Sequence, residues 1–426
     1  MISKPASMVS RADWRFEIGR WLPRPFARNV LVLIGGEGGV MLLNLVTGIF
    51  LARGLGPEGR GAYLAIAFWP LVLGWCATLG FPKASAYFRA KSPNHARALF
   101  ANALVVVLVL GSLLVWVGMH GLPRILDHYP ADVVWIGQWL LLSLLAIALS
   151  DVCQALLQGA GRFGLMTCTR LLMPAVQCVG LGILFMTGRL HVGTAVLVMV
   201  TGTLTVLLVQ ILAIGMAGEI GRPDRALLVE TGRYAVRSYP AFLAAIALSY
   251  LDQIFLIPLL APADLGLYIV ATRAFLLAQL PAAAAQVLFA EIPTLPKRQG
   301  RALAGRTLAT AAVLMGLAGL CLGFFAPTLV HILFGTAFLP SVPAFRILLP
   351  GAVAAGLAGI ANESLGGLGK PLLTSVTRVV TLLVMAVGLR VVAPTWGIVG
   401  ASWVVTLAHC FGFVLSGAFL WREPAT

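Results

Sequence analysis

FLARGLGPEGRGAY, residues 50–63, is the stretch that decides the fold, because a similar stretch returns 205 residues later as FLIPLLAPADLGLY, residues 255–268. In each copy, proline and glycine are expected to end one apolar helix and reverse the chain before a second apolar helix begins. The identical positions are Leu51/Leu256, Leu55/Leu260, Pro57/Pro262, Gly61/Gly266 and Tyr63/Tyr268.

Two further matches have nearly the same spacing. LQGAGRFGLMTCTR, residues 157–170, aligns with LGGLGKPLLTSVTR, residues 365–378, at an offset of 208. A weaker match pairs residues 192–195 with 399–402 at an offset of 207. Three matches in the same order at a nearly constant offset predict a chain made of two similar halves.

The composition indicates an integral membrane protein. The chain is 60% hydrophobic and 11% charged, with a mean hydropathy of +0.96, whereas a soluble domain is about 25% charged. A spanning helix needs about 20 mostly apolar residues, and backbone groups in lipid must be satisfied within the segment. We therefore predict an all-α membrane protein with twelve spans: 29–52, 60–81, 97–119, 133–158, 164–187, 192–217, 234–260, 265–290, 303–326, 343–365, 372–392 and 397–420.

These spans divide the chain into two lobes of six helices, related by a parallel pseudo-two-fold axis. The expected boundaries are a basic, aromatic cytoplasmic segment at 1–28, lobes at 29–217 and 233–421, a polar linker at 218–232 and a tail at 422–426. No cleavable signal peptide is expected, because a long spanning segment follows the basic segment.

The net charge of +15 is explained by topology and needs no nucleic acid. Most Lys and Arg residues fall in one alternating set of loops, which predicts a plasma-membrane protein with both termini in the cytoplasm. These residues are expected to contact anionic lipids. The six cysteines show no CxxC spacing and no partner histidine, so no metal or cofactor is expected.

The chain resembles the oligosaccharide flippase family, the polysaccharide-transport branch of the superfamily that also holds multidrug and toxin extruders and lipid II flippases. The resemblance rests on LARGLGPEGRGAY at 51–63, on Asp252 followed by LGLY at 265–268 and ATR at 271–273, and on the turns QGAGR at 158–162 and GGLGK at 366–370. Two departures are Arg53 and Arg60, whose counterparts Pro258 and Leu265 are not basic, and a chain of twelve helices where the family often has more.

This resemblance implies a MATE-like, V-shaped bundle of two lobes around a central cavity that works by alternating access. The implied cargo is a polyprenyl-pyrophosphate-linked oligosaccharide used for cell-surface polysaccharides. Polymerases and glycosyltransferases of the same pathway are the implied partners.

Intramembrane charges are candidates for transport, because a charge at mid-membrane costs about 2.5–3.5 kcal/mol on insertion scales. Glu37 lies in a GGEGG run that fits either a packing notch or a bend whose carboxylate binds H⁺ or Na⁺. Asp151 and Gln154 in span 4 lie on a face equivalent to that of Asn362 and Glu363 in span 10. Both faces fit either the shared cavity or hydrogen bonds between helices of one lobe.

Asp252 in span 7 and Arg273 in span 8 lie at similar depth. They fit either a structural ion pair, or a site in which Arg273 binds substrate phosphate and Asp252 the coupling ion. Arg170 and Arg378 begin spans 5 and 11 at equivalent places. They fit either a basic entrance for pyrophosphate or anchors at the cytoplasmic face.

Two other functions remain open at this point. A multidrug or cation antiporter would use Glu37 and Asp252 to bind organic cations. A membrane glycosyltransferase or ligase would need a catalytic loop, and Asp127 and His128 are the residues that would supply one. The short loops between spans favour a transporter over an enzyme.

Overall fold

The computed structural model describes residues 24–278, 297–368 and 370–422. In these ranges the chain is helical and contains no strand. The α-helices are α1 (Arg24–Thr78), α2 (Phe81–Lys91), α3 (Ala96–Ile125), α4 (Ala131–Leu140), α5 (Ser143–Gly159), α6 (Phe163–Met186), α7 (Val192–Met216), α8 (Arg225–Leu256), α9 (Pro262–Ala271), α10 (Arg273–Ala278), α11 (Lys297–Phe334), α12 (Val342–Gly367) and α13 (Pro371–Arg422). Short 3₁₀ helices precede α3 and α12, at Pro93–His95 and Thr336–Ser341.

Eight helical segments in the described part are long and apolar enough to cross a membrane. Two of them, Gly38–Thr78 and Leu372–Arg422, have 41 and 51 residues, enough for two crossings each at about 20 residues per crossing. Each is kinked at a glycine, Gly56 or Gly397. The all-α membrane fold predicted from the sequence is therefore confirmed, and in two pairs of predicted spans the helices meet at a single non-helical glycine.

The repeated turn of the first half is built on Gly56. Its backbone has φ 67° and ψ −177°, a conformation that side chains with a Cβ rarely adopt. Pro57 follows and starts the second part of α1, where its missing N–H costs nothing. In the second half the chain leaves α8 at Leu256 and starts α9 at Pro262. We call the side of the bundle that holds these two turns the turn end.

The two turns pack directly against each other. A Cβ built on Gly61 would lie 1.7 Å from the Pro262 carbonyl oxygen, and a Cβ built on Gly266 would lie 1.9 Å from that of Pro57. Gly61 and Gly266 are equivalent positions of the repeat, and so are Pro57 and Pro262. The contact is therefore reciprocal, as two-fold symmetry between the halves requires, and it closes the halves together at the turn end.

Polar contacts reinforce this closure. Arg53 donates to the carbonyl oxygens of Leu333 and Ile332 near the end of α11. His128, in the loop after α3, lies 3.0 Å from the Leu260 carbonyl oxygen through Nε2 and 3.1 Å from the Asp127 carboxylate through Nδ1.

The neighbouring Tyr129 hydroxyl donates to the Ile257 carbonyl oxygen at 3.4 Å. Burial raises the pKa of Tyr129 well above its usual value, so its hydroxyl remains a donor. This loop of the first half is therefore bonded to the turn of the second half.

The opposite side of the bundle, which we call the linker end, holds the connection between the halves. This connection is short, because α8 begins at Arg225, within the polar stretch that the sequence assigned to the linker at 218–232. It is fixed to the first half. Arg89 donates to Glu219 at 2.7 Å, and Asn102 exchanges two hydrogen bonds of 2.9 Å with the backbone of Asp224.

Candidate functional site

A group of charged and phenolic side chains lies where the two halves meet. The close approach of Gly61 to Gly266 brings the second part of α1 beside α9, which places Arg60 at the boundary. We call this group the interface cluster. Its members are Arg60 and Tyr63 on α1, Tyr250 and Asp252 on α8, Tyr268 on α9 and Arg273 on α10.

Asp252 is held by a tyrosine of its own half. The Tyr268 hydroxyl donates to Asp252 Oδ2 at 2.9 Å, and Tyr268 is fully buried. The ion pair between Asp252 and Arg273 that the sequence suggested is absent from the described part of the chain. Tyr268 on α9, rather than Arg273 on α10, is the residue that reaches the carboxylate.

Arg60 is the least satisfied member of the interface cluster. Its side chain is 6% exposed, and its Nε has no hydrogen-bond partner in the described residues. It lies over Gly48, 3.9 Å from a Cβ built there. It also interacts electrostatically with Arg273 and Tyr63.

The described part of the interface cluster therefore holds two guanidinium groups and one carboxylate. Arg273 also interacts electrostatically with Tyr250, which brings a third tyrosine hydroxyl into the same region. Buried cations carry a large desolvation cost unless something compensates it. The excess of guanidinium over carboxylate favours the binding of an anion.

A second feature is a cavity of about 260 Å³ inside the second half. Its polar lining comes from α8, α12 and α13 and includes Ser249, Asn362, Arg378 and His409. The Thr377 hydroxyl donates to Asn362 Oδ1 at 2.8 Å, and Arg378 lies 3.5 Å from Glu363. This cavity has room for an ion or a few water molecules, but not for a lipid-linked glycan.

The first half has the equivalent hydrogen bond. Gln154 Nε2 donates to Thr169 Oγ1 at 2.9 Å, and Gln154 and Thr169 are the repeat equivalents of Asn362 and Thr377 at the offset of 208. The polar residues of spans 4 and 10 thus both form hydrogen bonds within their own half, and Asn362 also lines a cavity.

The acidic candidates differ in their surroundings. Asp151 is half-buried on α5 and has no hydrogen bond or ion pair with the residues described, whereas Glu363 faces Arg378. Arg170 is exposed at the start of α6. Glu37 lies in α1, and its side chain is outside what the structure describes. The neighbouring Gly36 packs against Thr167, whose Cγ2 would lie 2.3 Å from an added Cβ.

Sequence reasoning did not select four members of the interface cluster, which are Arg60, Tyr63, Tyr250 and Tyr268. Arg60 was predicted only as the first residue of the span 60–81, because the Pro/Gly run was expected to interrupt the helix for longer. The helix instead resumes at once after Gly56, so Arg60 is buried. The available signals were the missing basic counterpart at Leu265 and the repetition of the tyrosine as Tyr63 and Tyr268.

The chain was compared with known proteins. A family model described as polysaccharide biosynthesis protein matches residues 26–298, which is more than half of the chain. No curated protein matches the sequence.

Solved structures share the fold at low sequence identity. A multidrug resistance transporter of the MATE family in its inward-facing conformation is 16% identical, with a TM-score of 0.72, over 89% of this chain and 93% of that one. The lipid II flippase MurJ, in an inward closed conformation, is 13% identical with a TM-score of 0.76, over 93% and 88%. A MOP superfamily transporter from Pyrococcus furiosus is 17% identical with a TM-score of 0.60, over 93% and 94%. The chain thus belongs to the polysaccharide biosynthesis protein family, and it has the MATE-like membrane fold of these solved transporters.

Proposed function

We propose that this protein is a flippase that moves a polyprenyl-pyrophosphate-linked oligosaccharide across the cytoplasmic membrane for cell-surface polysaccharide synthesis. The headgroup passes between the two halves while the isoprenoid tail remains in the bilayer. The halves alternate between opening at the linker end and opening at the turn end.

The observation that carries the proposal is the pairing of Arg60 and Arg273 in the interface cluster. A guanidinium stays charged and presents several N–H donors that match phosphate oxygens. Two of them, one from each half, suit the two phosphates of a pyrophosphate group. The anion would supply the hydrogen-bond acceptor that Arg60 Nε lacks within the described residues. It would dissociate from the arginine on the other side of the membrane.

Coupling to H⁺ or Na⁺ is assigned to the intramembrane carboxylates. Asp151 is the favoured site, because it is half-buried in a spanning helix and has no partner among the described residues. An isolated intramembrane carboxylate needs a proton or a cation to offset its burial. Asp252 is the second candidate, with Tyr268 as its hydrogen-bond donor, and Glu37 and Glu363 are the remaining two. Arg170, Arg378, Gln154 and Asn362 would contact the headgroup as it enters.

The proposed orientation places the linker end in the cytoplasm. Three basic residues surround the linker, which are Arg89 on α2, Arg97 at the start of α3 and Arg162 before α6, and the positive-inside rule puts such residues on the cytoplasmic side. Both termini then lie in the cytoplasm, and the turn end faces outward. Polymerases and glycosyltransferases of the same pathway would work on either side of the transported lipid.

The test uses purified protein in liposomes that contain a fluorescent polyprenyl-pyrophosphate glycan. Arg60→Gln and Arg273→Gln are each expected to slow flipping by about tenfold or more, because each removes charge-assisted hydrogen bonds of about 1.5–3 kcal/mol. Arg346→Gln is the matched control, because Arg346 is exposed and, among the described residues, donates to the Gly323 carbonyl oxygen alone. If both cluster variants insert normally and flip the lipid at the parent rate, the cluster does not bind the cargo.

The same cluster separates this proposal from a drug or cation antiporter. An excess of guanidinium over carboxylate repels organic cations, so expression in a pump-deficient strain is expected to leave minimum inhibitory concentrations of cationic drugs unchanged. An increase that depends on Asp252 would favour the antiporter.

A further inference from the structure

A groove of about 580 Å³ lies outside the interface cluster, between the start of α6 and the end of α7 at the linker end. Its apolar walls are Leu165 on α6 and Val209, Leu212, Ala213 and Met216 on α7. Arg162, immediately before α6, forms its one charged border.

The charge of Arg162 is only partly neutralised by its acidic neighbour. Its Nη2 lies 3.8 Å from Glu219 Oε1, but the same oxygen already accepts a hydrogen bond of 2.7 Å from Arg89. One carboxylate therefore faces two guanidinium groups, and the Arg162 side chain is 39% exposed. The border of the groove thus carries a positive charge that Glu219 neutralises only in part.

The groove also has the length and the position of a lipid site. It follows the last two turns of α7, about 10 Å of helix at 1.5 Å per residue, and ends where the spanning segment ends. Leu212 and Met216 are 54% and 84% exposed, so the walls are open to the bilayer. A charged border at the surface of the bilayer above an apolar channel matches a phosphate headgroup above an acyl chain.

We propose that this groove binds one anionic glycerophospholipid, with its phosphate on Arg162 and the first part of an acyl chain along α7. A free phosphate would not use the apolar walls, and a zwitterionic lipid would not neutralise the excess charge. Because Glu219 keeps its shorter bond to Arg89, the lipid can take Arg162 without releasing the linker. The site lies apart from the interface cluster and does not depend on the identity of the cargo.

The test is native mass spectrometry of the full chain in detergent, with phosphatidylglycerol or phosphatidylcholine of identical acyl chains. The parent protein is expected to retain phosphatidylglycerol preferentially. Arg162→Gln should reduce that preference by about fivefold, which corresponds to the attraction of about 1 kcal/mol per basic residue near anionic lipid. Arg162→Lys should keep most of the preference, and Ala213→Trp, which fills the groove and leaves the charge, should reduce the binding of both lipids.

The control is Arg306→Gln, at an exposed arginine near the linker end of the second half. It is expected to leave the preference unchanged. The proposal is overturned if Arg162→Gln binds phosphatidylglycerol like the parent, or if Arg306→Gln lowers the preference to the same extent. The latter result would assign the preference to the overall charge of the protein. Equal thermal stability of the variants confirms that each one is folded.

Discussion

Replacing Gly61 by alanine is expected to force the turn end open. The added Cβ would lie 1.7 Å from the Pro262 carbonyl oxygen, whereas ordinary contacts of this kind begin at about 3.4 Å. The carbonyl oxygen belongs to the backbone, and the position of the added Cβ is fixed by the backbone. No side-chain rotation therefore relieves the overlap. The two turns must separate by about 1.5–2 Å.

The size of the effect follows from this overlap. Overpacking a well-packed contact costs about 1–3 kcal/mol and sometimes more, and the backbone position of both atoms places this contact at the upper end. A penalty of about 3 kcal/mol on the closed arrangement alone shifts the equilibrium about 100-fold towards opening at the turn end. Flipping should slow accordingly, because each cycle must return through the closed arrangement.

The reciprocal geometry gives a sharper form of the prediction. Gly266→Ala should act in the same direction, because its Cβ would lie 1.9 Å from the Pro57 carbonyl oxygen. The two effects should not add. One separation of the turns relieves both overlaps, so the double variant should resemble either single variant.

The assay is a distance measurement between spin labels at Arg189 and Thr395, which are exposed at the turn end of the two halves. The six native cysteines are free and are replaced first. Gly61→Ala should move most of the distance distribution to longer values. The control is Gly121→Ala near the end of α3, where an added Cβ meets no atom within 4 Å. An unchanged distribution in a folded Gly61→Ala protein would refute the contact.

Two further predictions concern the two ends of the bundle. Glu219→Gln should lower the free energy of unfolding by about 3 kcal/mol, because it leaves Arg89 and Arg162 without their buried carboxylate. Melting temperatures should fall relative to Glu230→Gln, an exposed control, and equal values would show that Glu219 does not stabilise the linker end. At the turn end, both ring nitrogens of His128 face acceptors, Asp127 and Leu260, and the Tyr129 ring lies 4.5 Å away. Removing these contacts should therefore weaken closure. His128→Ala should increase the fraction open in the distance assay, and an unchanged fraction would show that these contacts do not hold the turn end.

Much of the fold was predictable because it depends on hydrophobic length and on the repeat. The twelve predicted spans match helices wherever the chain is described, since lipid leaves the backbone few alternatives. The positions at which helices are interrupted were less predictable. The helices are interrupted at Leu79, Leu141 and Thr272, within runs whose composition alone indicates continuous spans, and these breaks depend on packing between helices.

The candidate site was predictable only in part, for a physical reason. Hydropathy identifies a charged residue inside a span, as it did for Asp252 and Arg273, but partners depend on how a turn orients the next helix. The suggested pair of Asp252 with Arg273 was therefore wrong, and Tyr268 is the partner. Arg60 was predicted only as the first residue of a span, because the sequence alone did not show that one residue, Gly56, makes the whole turn.

The repeat symmetry distinguishes structural contacts from the residues proposed to bind the cargo. Contacts that keep the repeat symmetry are structural: Gly61 and Gly266 pack on Pro262 and Pro57, and the Gln154–Thr169 bond has its equivalent in Asn362–Thr377. The charges between the halves break that symmetry.

At the same positions of the other half, Arg60, Asp252 and Arg273 are matched by Leu265, Thr47 and Phe68. A duplicated scaffold gains nothing in stability from unmatched buried charges, which cost free energy to desolvate. An asymmetric cargo, with an anionic group at one end of its sugar chain, does require unmatched charges. Exchanging Arg60 with its counterpart Leu265, as Arg60→Leu with Leu265→Arg, should therefore preserve packing and abolish flipping, whereas a cluster that served only structure would tolerate the exchange.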